Sequence, residues 1–67
     1  MKKKFVSKKI KTLNLSNKNL KVIPKYVYSL KNLEELDLSN NYISKINSQI
    51  SKMTKLRKLN LISNKIN

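Results

Sequence analysis

The chain repeats itself every 23 residues, and that period constrains its fold more than any other feature. Segments starting at Ile10, Leu33 and Leu56 align without a gap. They read IKTLNLSNKNLKVIPKYVYSLKN, LEELDLSNNYISKINSQISKMTK and the shorter LRKLNLISNKIN. A repeat of this length is one supersecondary unit, too small to bury its own apolar face, so neighbouring units must stack. The expected architecture is an α/β solenoid. Stacking also directs function toward a presented surface rather than a catalytic pocket.

Each unit carries two apolar spacings. Positions four and six are Leu13 and Leu15, Leu36 and Leu38, Leu59 and Leu61, a spacing of two that belongs to a strand. Later positions are three and four apart: Leu20, Ile23, Val27 and Leu30, then Ile43, Ile46, Ile50 and Met53. That is helical or 3₁₀ spacing, so each unit is one short strand and a loosely helical return. The second set also fits a heptad seam. A coiled coil, however, leaves the two-residue spacings unexplained, and it conflicts with Pro24, which suits only the first turn of a helix.

These units resemble leucine-rich repeats, whose pattern begins LxxLxLxxNxL. LEELDLSNNYI and LRKLNLISNKI match it in full, and LKVIPKYVYSLKN is similar to the return half of the 23-residue class. The resemblance implies an arc with short parallel strands on the concave side and irregular or 3₁₀-helical convex segments. It divides the chain into a basic N-terminal cap segment, 1–9, and a repeat domain, 10–67, with units 10–32, 33–55 and a truncated 56–67. It also implies that Asn41 and Asn64 sit inside the turn after each strand, where an amide satisfies buried backbone groups. The first unit has Lys18 at that position, which has no acceptor, so either the lysine snorkels out of a partly wet turn or Asn17 or Asn19 takes the role.

Composition narrows the function. The chain has neither Cys nor His, which removes disulfides, thiolate chemistry and the commonest metal ligands. Disulfide-free domains of this size point to a reducing, intracellular, cytoplasmic location. The start, MKKKFVSKKIK, lacks the apolar stretch of a signal peptide, and no apolar run can span a membrane. The net charge is +13. It reads either as a basic surface for polyanions or as codon bias, because Lys, Asn and Ile abound while Gly and Ala are missing. The lysines fall on the N-terminus, the turns and the convex side, as a halo without Arg forks. Tyr26, Tyr28 and Tyr42 are expected to give the core partial cover.

Side chains beside the strand leucines face outward on the concave side. The candidate partner-binding residues are Thr12, Asn14, Glu35, Asp37, Ser39, Lys58, Asn60 and Ile62. All three acids, Glu34, Glu35 and Asp37, lie on the middle strand. With parallel strands about 4.8 Å apart, Lys11 and Arg57 flank Glu34, and Lys58 lies beside Glu35. The cluster is either a cross-strand ladder that fixes register or an acidic stripe for a basic partner. No catalytic residue, cofactor or metal is expected, since the carboxylates have no His or activated nucleophile beside them.

The leading expectation is a non-catalytic protein–protein interaction module. The alternative is a basic protein that binds nucleic acid or anionic surfaces through dispersed lysines. Phe5 shares the phase of Tyr28, so Met1 to Lys9 are expected to cover the first coil. The last strand has no such cover. The edge 56–67 is therefore expected to self-associate or to continue into a longer array, leaving the chain marginal on its own.

Overall fold

The computed structural model describes residues 7–66. Three strands form one open parallel sheet: β1 (Thr12–Asn14), β2 (Glu35–Asp37) and β3 (Lys58–Asn60), in the order β1-β2-β3. The register is the sequence period itself. Thr12 pairs with Glu35 and Glu35 with Lys58; Leu13, Leu36 and Leu59 share one row, and Asn14, Asp37 and Asn60 the next. Hydrogen bonding continues past the strands into the turns, where Leu15 N–H donates to Asp37 O and Asn17 N–H to Ser39 O. One unit later, Leu38 N–H donates to Asn60 O and Asn40 N–H to Ile62 O.

Between strands the chain returns through 3₁₀ turns at Lys25–Ser29 and Ser48–Lys52. Pro24 and Asn47 occupy equivalent N-cap positions with extended backbone, ψ 141° in both. Pro24 thus precedes the helical residues rather than standing in their first turn, where its fixed φ still sets the chain's direction. Asn47 accepts a hydrogen bond on Oδ1 from Gln49 N–H, a side-chain cap that Pro24 cannot provide.

The core is Ile23, Val27, Leu30, Leu33, Leu36, Leu38, Ile43 and Met53. Of the apolar positions expected inward, all but Leu59 and Ile66 are buried or pack against this cluster. The most buried stretch runs from Ile23 to Ile43, the return of the first unit plus the strand and turn of the second. Within it β2 has a strand on either side, whereas the outer strands have one neighbour each. Only Tyr28 among the tyrosines packs on the core; Tyr26 and Tyr42 are exposed. Burial pushes the Tyr28 hydroxyl above its ordinary pKa, with the Asn47 backbone pulling the other way. Of the expected N-terminal cover, Met1 to Val6 lie outside the described residues, and Ser7 to Lys9 form an exposed turn in which Ile10 N–H donates to Ser7 O.

Candidate partner-binding face

The turn after each strand positions the sheet's outer face, and it is built from asparagines. The eighth residue of every unit has a left-handed backbone: Asn17 and Asn40 at φ 56° and Ser63 at φ 60°. Glycine normally fills such positions, and the chain contains none. Asparagine tolerates the conformation better than other residues with a Cβ. Asn19 also lies at φ 56°.

The ninth residue then ties the coils together. Asn41 Oδ1 accepts from Lys18 N–H and Leu20 N–H of the preceding unit, at 3.0 Å each. Its amide donates backward to Leu15 O and within its own turn to Leu38 O and Ser39 O. Asn64 makes a thinner set, accepting from Ile43 N–H and donating to Leu38 O, Leu61 O and, at 3.5 Å, Ile62 O. The amide therefore serves the coil before it as well as its own. The first unit needs no substitute for Lys18, since Asn41 already satisfies that turn. Neither Asn17 nor Asn19 takes the role. Both are turn residues at positive φ, and Lys18 is exposed.

A second row of polar residues closes each strand. Asn14 Oδ1 accepts from Ser16 N–H and from the Ser16 hydroxyl. Asp37 Oδ1 does the same with Ser39 at 2.9 and 2.7 Å, and Asn60 Oδ1 accepts from Ile62 N–H. These are Asx turns, in which a short carbonyl-bearing side chain holds the backbone two residues on. The signal was present in the sequence as Asn, Asp and Asn at one position of the period. Hydrogen bonds from the Ser39 hydroxyl and N–H hold the Asp37 carboxyl below its ordinary pKa, against a smaller opposing effect of burial.

The outer face is a shallow concavity of about 360 Å³. Six of the eight candidate residues line it: Thr12, Asn14, Glu35, Asp37, Lys58 and Asn60. Ser39 lies outside it, only 8% exposed, with its hydroxyl committed to Asp37. Its counterpart Ile62 stands 71% exposed beside the concavity. The ion pairs differ from the simple ladder. Arg57 alone bridges Glu34 (Nε to Oε1) and Glu35 (Nη2 to Oε2), both at 3.4 Å. Neither Lys11 nor Lys58 forms an ion pair among the described residues. A guanidinium presents donors on two sides and can reach two carboxylates, which an ammonium at the end of a flexible stem does less well. Both pairs are exposed, so each contributes at most about 1 kcal/mol.

Among the described residues no group of His, Cys, Asp or Glu could hold a metal ion. No helix among them is long and apolar enough to cross a membrane. Stacked strands in period register, an inward asparagine in each later turn and an open polar face define a repeat protein of one kind. The chain belongs to the leucine-rich repeat family, whose model, "Leucine rich repeat", matches residues 8–66. None of the curated proteins matches it. Domains of this family generally mediate contacts between proteins, and the family is typically non-enzymatic.

Proposed function

We propose that this chain is a non-catalytic interaction module, a short leucine-rich-repeat solenoid that presents the concave face of its sheet to a protein partner. The observation that carries the reading is the pair of rows Thr12–Glu35–Lys58 and Asn14–Asp37–Asn60 lining one concavity. Successive side chains stand a strand apart, so recognition is rigid display, with little ordering cost on binding. Thr12, Glu35 and Lys58 supply the contacts, because the position-five side chains already hold the turns. Ile62 adds an apolar anchor at the rim.

Peptides selected from a display library on the immobilised chain test this. Glu35→Lys combined with Lys58→Glu should weaken the selected binders by about tenfold or more, as should Ile62→Asp. Binders that ignore both changes would remove the concave face from consideration. Binding through dispersed lysines would instead collapse between about 50 and 200 mM salt, whatever the concave substitutions.

A second contact is supported by the edge strand. Leu59 and Ile66 are exposed on β3 and the turn after it, although their positions are core positions elsewhere. We infer that residues 56–67 are an association edge. Sedimentation of the purified chain should show concentration-dependent assembly that Leu59→Lys abolishes. A strictly monomeric chain with a sharp melt above about 60 °C, near the top of the range of mesophilic domains, rules the edge out.

A further inference from the structure

Away from the sheet's outer face, the two return segments line an open groove of about 970 Å³, larger than the concavity on the sheet. Its apolar lining includes Tyr28, half-buried against the core, and Val22, which is 66% exposed. Lys25, Lys31, Lys45 and Lys52 line it too, all of them exposed. None of the four forms an ion pair among the described residues. No acidic side chain lines the groove, since the three that the sequence holds, Glu34, Glu35 and Asp37, belong to the middle strand and its approach.

We propose that this groove is a second docking site, separate from the concave face, and that its occupant is an acidic peptide segment carrying apolar side chains. The charge is one-sided and uncompensated, which selects a negative partner. The floor is apolar, which a purely polyanionic partner leaves in water. An exposed valine between lysines gains from a ligand that brings both carboxylates and a side chain to cover it. Nucleic-acid surfaces add Arg forks and stacking aromatics to their lysines. Here the aromatic ring is packed against the core, and Arg57, the chain's single arginine, pairs with Glu34 and Glu35 instead.

The test is fluorescence anisotropy with a labelled peptide of glutamates flanking a pair of leucines, titrated with the intact chain at about 0.15 M salt, where long-range charge attraction is screened beyond about 8 Å. Saturable binding is expected. Lys45→Glu with Lys52→Glu should weaken it about tenfold or more, and Val22→Ser about threefold. All three side chains are exposed, so the fold should survive, which circular dichroism checks. Replacing the peptide's leucines with serines should weaken binding as Val22→Ser does. Glu35→Lys with Lys58→Glu, on the other face, should not weaken it. The proposal is overturned if the peptide does not bind, or if the groove variants leave binding unchanged. It is equally overturned if oligothymidylate of the same charge binds as tightly and Val22→Ser has no effect, which would assign the lysines to polyanions in general.

Discussion

The second and third units carry the same motif, LxxLxLxxN, in very different surroundings. Leu36 on β2 is 2% exposed, whereas Leu59, one register step away on β3, is 38% exposed. Asn41 is buried, with five hydrogen bonds; Asn64 is half-buried, with four, one of them stretched to 3.5 Å. A repeat position is thus worth what its neighbours make of it. In a stacked array the interface between units supplies much of the stability, so a coil covered on both sides is a core and a coil covered on one side is a surface.

The largest test of this contrast is leucine truncation. Leu36→Ala should cost about 2–5 kcal/mol, enough to unfold a small chain, while Leu59→Ala should cost under about 1 kcal/mol at concentrations too low for association. Urea denaturation reads both, and equal losses would mean that the third coil is covered in solution. Next come the turn amides. Asn41→Ala leaves several buried backbone groups unpaired and should cost about 2–3 kcal/mol, against about 1 kcal/mol for Asn64→Ala. Thermal melts that shift equally for the two variants would contradict the difference in burial.

Smaller effects probe the same contrast. The third unit has Ser63 where the others have asparagine at positive φ. Ser63→Asn should therefore stabilise by about 0.5 kcal/mol, visible as a higher denaturation midpoint, while Asn40→Ser should destabilise similarly. Arg57→Ala removes the only bridge between the two coils' charges among the described residues. It should cost no more than about 1 kcal/mol, less at high salt. The last test concerns pH. Asp37 has its folded pKa below its ordinary value, so its contribution is present above about pH 3.9 and is lost as pH falls through the folded value. Asn14 and Asn60, in the same role, cannot titrate. An Asp37→Asn chain should lose part of its acid sensitivity, measured by melting temperature against pH. An unchanged acid limb would show that Ser39 does not favour the charged carboxylate.

The strand register was legible in the residues because adding 23 to a number carries each strand onto the next, and the leucine pairs mark where the strands lie. The returns were legible from their three- and four-residue spacings. The outward rows of the concave face follow from the same arithmetic. The turns were legible only in part: the repeat pattern marks Asn41 and Asn64 as the inward amides, but the remaining turn chemistry was not, although its signals were present. Asn14, Asp37 and Asn60 look like surface display until their carbonyls are seen holding Ser16, Ser39 and Ile62. Asn17 and Asn40 look like polar filler until their positive φ is known. Lys18 looks like a fault until Asn41 is seen to reach back and satisfy its turn. Local polar residues have several possible hydrogen-bond partners, and a linear pattern does not choose among them.

The period, the parallel register and the membership of each row follow from the order of residues alone, because a fixed repeat places equivalent residues one above another. Packing of the units in three dimensions sets how deeply each repeat position is buried, that one arginine takes both glutamates, and that the return segments leave an apolar groove between lysines. Those outcomes depend on which coils flank each residue and on the reach of individual side chains. A single sequence encodes neither until the units are stacked.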